Sequence, residues 1–382
     1  MREKAVPTIP KDHIPRLDVL RGIAILFVFF FHLLVLADGW GIPWKDLWAD
    51  LSKWPVISYP LLPIGWGGLL GVPLFFVLSG FCIHFAFLRR GKPLEAKAFY
   101  WHRFLRLYPA YFVAAVVYAW LVYLLPYKLL TYKYENVFQL PVHLLLIHNL
   151  NKSTFMGLNG AFWSLGVEFQ FYLLYPLLLL MRKKWDLRVC LVISLVINVV
   201  LQIYFSLTRH VIDAPVSVEW SFPLVTWCNW IMGACLAEAY VEKRRLFNQW
   251  WLMLLIAAGM FVYSQMFKSL HVQTYLCAAT LCAVIMDRYV PLTRPLTWIE
   301  RLIVPIGLIS YSVYLWHLPV VILTGKLATY MGWPHTTLAV LGIYLPIVLL
   351  VLIPISWLSY TYLEIGVMRY FKRQKIDASP AP

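Results

Sequence analysis

Ten long apolar runs constrain this chain more than any other feature, at approximately 18 to 37, 72 to 88, 109 to 125, 162 to 181, 189 to 206, 222 to 240, 249 to 266, 271 to 286, 302 to 323 and 338 to 361. Most fall in the window of about 17 to 25 residues that a helix needs to cross a bilayer. A soluble core cannot hide so much apolar surface. Of 382 residues, 61% are apolar and 13% charged, the latter about half the usual fraction of a soluble domain. The expected fold is therefore all-α, a polytopic integral membrane helical bundle of about ten transmembrane helices. Its expected parts are an N-terminal segment 1–17, a transmembrane domain 18–366 and a basic tail 367–382, with the last residues from Gln374 onward read as disordered.

Charge sets the orientation. The 33 Lys and Arg against 18 Asp and Glu give a formal charge of +15, which in a soluble protein would point to nucleic acid. Here the basic residues sit between the apolar runs, so no nucleic-acid partner is expected. With the N-terminus inside, 25 Lys and Arg fall on inner segments and 8 on outer ones. The positive-inside rule then puts both termini in the cytoplasm of a multi-pass protein of the plasma (inner) membrane. The first run lacks an Ala-x-Ala cleavage site and is expected to stay as an anchor. The segment 137 to 147 is too short to cross and contains Pro141, so it reads as interfacial or re-entrant. His143 and His148 go with it as interfacial residues.

The six cysteines lie in or beside apolar runs without Cys-x-x-Cys spacing, which reads as packing rather than a metal site. No permanently bound cofactor is expected. Ionisable side chains inside a span are costly and mark function by default. His32, Glu168 and His317 are the three that stand out. Helix rise puts each about 20 Å above the inner surface, at one common depth. Arg21 and His32 are eleven residues apart, close to three turns, so they share a face about 16 Å apart along the axis. Asp18, one turn before Arg21, can pair with it. Just inside the third run Arg103 and Arg106 share a face, where two guanidinium groups can fork onto phosphates. Three arginines toward the inner side suit a polyanionic ligand.

These residues lie in five segments that together resemble the membrane-bound acyltransferase family 3. The first is Arg16-Leu-Asp18-Val-Leu-Arg21-Gly22 followed by His32; the second is Val72-Pro-Leu-Phe-Phe-Val-Leu-Ser79-Gly80-Phe81. The others are Arg103-Phe-Leu-Arg106-Leu-Tyr108-Pro109, Trp163-Ser164-Leu-Gly-Val-Glu168-Phe-Gln-Phe-Tyr172 and Ile309-Ser310-Tyr311-Ser312-Val-Tyr314-Leu-Trp316-His317.

The resemblance implies an acyl-coenzyme A donor, acetyl-coenzyme A first of all, bound from the cytoplasm, and an O-acylated acceptor on the opposite side. That acceptor would be a hydroxyl of a glycan, a lipid-linked sugar or a small molecule. It implies that Arg21, Arg103 and Arg106 hold the coenzyme A phosphates and that His32 acts as general base, with Glu168 as its carboxylate partner or a ligand of sugar hydroxyls. Direct transfer and an acyl-histidine intermediate both stay open. Ser79 and Gly80 are assigned to close backbone packing, and Tyr311 and His317 to the acceptor side. Family members often carry two acidic residues where this chain has Glu168-Phe169. Many also continue into an extracytoplasmic hydrolase-like domain, so transfer is expected within the membrane or with a separate partner enzyme. The rival expectation is a proton-coupled secondary transporter that uses His32 and Glu168 as a relay.

Overall fold

A computed structural model describes residues 13–38, 62–124, 138–209, 218–219, 221–266 and 273–377, and among these there are helices and turns but no strand. The helices are α1 (Pro15–Asp38), α2 (Leu62–Arg90), α3 (Ala96–Leu124), α4 (Gln139–Leu144), α5 (Trp163–Lys184), α6 (Leu187–Arg209) and α7 (Pro223–Val241). They continue with α8 (Trp250–Met266), α9 (Thr274–Tyr289), α10 (Trp298–Leu308), α11 (Ser310–Tyr330), α12 (Thr337–Ala339), α13 (Leu345–Leu358) and α14 (Val367–Asp377). The all-α membrane architecture expected from the sequence is the one observed.

Each apolar run falls on helix, but the helices are not ten equal spans. Among the described residues seven are long and apolar enough to cross a bilayer, or eight if α10 and α11 form one broken span. The runs at 249 to 266 and 271 to 286 form α8 and α9, of 17 and 16 residues. At 1.5 Å per residue these are about 24 to 26 Å long, short of a hydrocarbon core of about 30 Å. The run 302 to 323, read as one span, breaks at Ile309. Pro305 removes a helical donor just before the break, and the Ser312 hydroxyl after it bonds to Ser359 and Glu364.

The last run is longer than expected. A helical path from 340 to 373 covers 34 residues, about 51 Å at the helical rise, so its final turns with Arg369, Lys372 and Arg373 pass beyond the apolar core. It carries π-helical turns at Val340–Tyr344 and Ser359–Gly366. Gln374 to Asp377, read as the start of a disordered tail, are the last turn of α14. Residues 378–382 lie outside the described residues, as do most of the N-terminal segment and much of the loop 38 to 71.

The chain forms two compact units. The first comprises 1–27, 69–94 and 168–307. Its core joins Leu20 and Ala24 of α1 with Val77, Leu78 and Phe81 of α2, Met232 and Leu236 of α7 and Ala279 and Ala283 of α9. The small residues let helices approach, as is usual where lipid offers no hydrophobic drive for association. Helix α2 stops at Gly91, whose φ of +60° supplies the left-handed closing residue after the basic pair Arg89 and Arg90. The second unit comprises 28–68, 95–167 and 308–382. Tyr311 on α11 donates to the Leu107 carbonyl of α3 at 2.8 Å, and Tyr314 donates to the Ala161 carbonyl at 2.7 Å. These bonds tie α11 to α3 and to the segment before α5.

Candidate functional site

The second unit brings two of the intramembrane residues together. His32, partly exposed on α1, stands with Nδ1 2.8 Å from the Val28 carbonyl oxygen and 3.3 Å from Nε2 of His317. His317 on α11 is fully buried, and its Nδ1 lies 2.8 Å from the carbonyl oxygen of Tyr314. The ring centroids are 5.0 Å apart and steeply inclined, at 62°. The side chain of Tyr314 packs on His317 and meets Ser164 through a 2.6 Å hydroxyl contact. The two imidazoles are thus in direct contact. His317, which the resemblance assigns to the acceptor side, is the ring that meets His32.

Helix α1 runs unbroken from Pro15 to Asp38 and so carries both Arg21 and His32. Arg21 donates through Nη1 to Oδ1 of Asp18 at 2.7 Å and through Nη2 to Cys82 Sγ at 3.1 Å. Asp18 is buried at 1% exposure while Arg21 keeps 24% of its side chain accessible, so the aspartate aims a guanidinium that is still partly open. His13 lies on the other carboxylate oxygen at 2.6 Å. Cys82 is therefore a neighbour of Arg21 rather than only a packing residue, and all six cysteines are free thiols.

On α3, Arg103 lies over the Phe99 ring at 5.7 Å, and Arg106 is exposed. Arg106 acts electrostatically on Glu364, a buried carboxylate in the π-helical turn Ser359–Gly366. Glu364 accepts a hydrogen bond from Ser312, whose hydroxyl also reaches Ser359 at 3.0 Å. π-helical turns of this kind often accompany functional sites. Glu168, on α5, accepts from Tyr172 one turn on. Ser79 accepts from the indole N–H of Trp230 at 3.2 Å. A side chain at Gly80 would collide with the Trp230 carbonyl, so the Ser79-Gly80 pair is where α2 and α7 touch backbone to backbone.

Sequence reading passed over two clusters. His84 on α2 is fully buried and lies between Tyr175 OH, 3.1 Å from Nδ1, and Glu238 Oε1, 3.4 Å from Nε2. Glu238 also accepts from Arg182 Nε at 2.5 Å. Both His84 and Glu238 lie inside apolar runs, so the rule that singled out His32 would have found them. Glu364 lies beyond the last expected run, where a carboxylate draws no notice. His143 and His148, read as interfacial, are both fully buried within the protein and their rings stack at 4.0 Å. Among the described residues no group of three or more His, Cys, Asp or Glu side chains could hold a metal ion.

Comparison with known proteins adds the family. The chain is 24% identical to the peptidoglycan O-acetyltransferase OatA of Listeria monocytogenes over 95% of its length and 58% of that protein. It is 25% identical to the YrhL protein of Bacillus subtilis over 82% of its length and 49% of that protein. To the BcsY protein of Komagataeibacter xylinus it is 24% identical over 97% of its length and 86% of that protein. The chain thus spans about half to three-fifths of the first two relatives. No solved structure matches it. The family profile described as an acyltransferase domain matches residues 14–360, nearly the whole helical bundle, and lends no support to a carrier. The chain belongs to the membrane-bound acyltransferase family 3.

Proposed function

We propose that this enzyme transfers an acyl group, acetyl in the first instance, from cytoplasmic acyl-coenzyme A to a hydroxyl of an extracytoplasmic glycan, lipid-linked sugar or small molecule. The chain would lie in the plasma (inner) membrane with both termini in the cytoplasm. A glycan acceptor is favoured because a relative is named as a peptidoglycan O-acetyltransferase. The observation that carries the reading is His32, a partly exposed imidazole on a membrane helix whose Nδ1 faces acceptors.

In this reading His32 takes the proton of the acceptor hydroxyl as its oxygen attacks the thioester carbonyl. The carbon–sulfur bond then breaks, and the departing thiolate takes that proton to leave as free coenzyme A. General base catalysis of this kind contributes about 10²- to 10⁴-fold. Arg21, Arg103 and Arg106 are assigned to the donor phosphates, through charge-assisted hydrogen bonds that guanidinium groups make well. The pairing of Arg21 with Asp18 supports that role, since it presets the guanidinium before a ligand arrives. Glu168 is assigned to acceptor hydroxyls, and its contact with Tyr172 leaves its second carboxylate oxygen for a sugar.

Purified protein should release free thiol from acetyl-coenzyme A when an acceptor glycan is added, and His32→Ala should abolish that release while the protein stays folded. Full activity in the variant would remove His32 from the chemistry. Acid-quenched turnover with labelled acyl donor separates direct transfer from an acyl-histidine route.

A further inference from the structure

We infer that His317 is a positioning residue for His32, acting as the neutral hydrogen-bond acceptor that holds the catalytic ring and shares the charge it gains. The inference rests on the reading of His32 as the base. It follows from which atoms can donate. A backbone carbonyl only accepts, so Nδ1 of His317, 2.8 Å from the Tyr314 oxygen, must carry a hydrogen. In the neutral ring Nε2 is then bare. The same reasoning puts a hydrogen on Nδ1 of His32, 2.8 Å from the Val28 oxygen. That N–H also faces the bare Nε2 of His317 at 3.3 Å. A doubly protonated His317 would set two N–H groups against each other. The contact therefore selects a neutral His317.

Two consequences follow for the ring of His32. Its remaining nitrogen, Nε2, is unprotonated and is the atom that can accept the hydroxyl proton. The Val28 carbonyl lies four residues back and is already the helical acceptor for the backbone N–H of His32, so it is shared. His317 supplies an uncommitted lone pair to the same N–H. When Nε2 takes the acceptor proton, Nδ1–H becomes a charged donor, and hydrogen bonds to charged donors are about twice as strong as neutral ones. The gain appears only as charge develops, which is what raises kcat rather than substrate binding. A carboxylate does this work in a Ser-His-Asp triad. An imidazole can do it without placing a permanent negative charge at membrane depth. Burial of His317 at 0% exposure keeps competing water off its lone pair.

The test compares His317→Ala with His317→Gln, alongside His32→Ala, using thiol release from acetyl-coenzyme A and nitrogen-labelled histidine spectra of the full-length protein in detergent. His317→Ala should lower kcat by on the order of 10²- to 10⁴-fold, with KM for the donor changed less than about twofold. His317→Gln, whose amide oxygen can accept the same N–H, should recover a tenfold or greater part of that loss. The Nδ1 resonance of His32 should move in His317→Ala while Nε2 stays unprotonated. Wild-type kcat in His317→Ala, or a folded His317→Gln as inactive as the alanine variant, would overturn the inference. Retained thiol release in His32→Ala would instead overturn the assignment of the base, whatever His317 does.

Discussion

The indole of Trp230 on α7 donates to the Ser79 hydroxyl on α2 at 3.2 Å, and one residue on from Ser79 the two backbones touch. The approach is reciprocal. A side chain at Gly80 would strike the Trp230 carbonyl, and one at Gly233 would strike the Val77 carbonyl. Neither obstacle is a flexible side-chain end, so neither can step aside. The Ser-Gly-Phe segment shared with the family thus begins as a packing device: the serine fixes the tryptophan and the glycine lets α7 close.

Gly80→Ala and Gly233→Ala should each destabilise the purified protein by about 1 to 3 kcal/mol, the usual range for forcing extra atoms into a packed interface. Ser79→Ala should cost about 1 kcal/mol, the worth of one neutral hydrogen bond. Thermal unfolding in detergent, read by loss of the monodisperse peak, checks the order. A Gly80→Ala protein as stable as wild type would mean that α2 and α7 separate readily.

Glu238 holds two partners at once, Arg182 at 2.5 Å and His84 at 3.4 Å. Removing the shared acceptor leaves the buried His84 ring and the partly exposed Arg182 guanidinium without it. Glu238→Ala should cost about 1 to 3 kcal/mol, less than deleting one member of a fully buried ion pair, because the accessible part of Arg182 is screened. Glu238→Gln keeps an oxygen for Arg182 and should cost clearly less. Equal melting temperatures for the two variants would show that the charge network adds nothing to the first unit.

Much of this architecture is legible in the residues. Apolar runs mark all the long helices because a spanning segment must satisfy its own backbone, and His32 and His317 stand out because a polar ring there is expensive. The Asp18–Arg21 pair follows from i, i+3 spacing alone. What could not be read is which helices meet. His84, Glu238 and Arg182 lie on three helices far apart in sequence, and Arg106 and Glu364 on two. No periodicity links such positions. The break at Ile309 is hidden for a related reason: Pro305 is tolerated inside many membrane helices, so composition cannot say that this one ends.

His143 and His148 predict a pH dependence of stability. Burial among protein groups pushes the His143 ring down to about 4, and burial together with the neighbouring His143 pushes His148 well below its ordinary value. His143 is held neutral by geometry as well, since Nδ1 donates to the Gln139 carbonyl at 2.7 Å and Nε2 faces the Leu158 N–H at 3.5 Å. Tyr111 meets only its backbone carbonyl. Unfolded histidines bind protons near pH 6.5 and these do not, so the native state is undisturbed above that pH and loses stability as pH falls from about 6.5 toward 4. The loss from His143 alone should approach about 3 kcal/mol. Melting temperature measured across that range should fall in wild type, and the fall should be shallower in His143→Gln/His148→Gln. Parallel curves for the two proteins would rule the pair out as its source.

Arg103 and Arg106 differ in ways that separate donor binding from structure. Arg106 is exposed and acts electrostatically on Glu364, whereas Arg103 is partly buried over Phe99. If both read the phosphates of coenzyme A, Arg103→Gln and Arg106→Gln should each raise KM for the thioester about tenfold or more, the range expected for losing a hydrogen bond to a charged group. KM for the acceptor should stay within about twofold. Raised salt should weaken donor binding in wild type more than in either variant, because each variant has one charge fewer to screen. Arg→Lys replacements should recover little, since an ammonium cannot reproduce the planar fork. Equal increases in both Michaelis constants would mean that these arginines support the fold of the second unit and do not contact the donor.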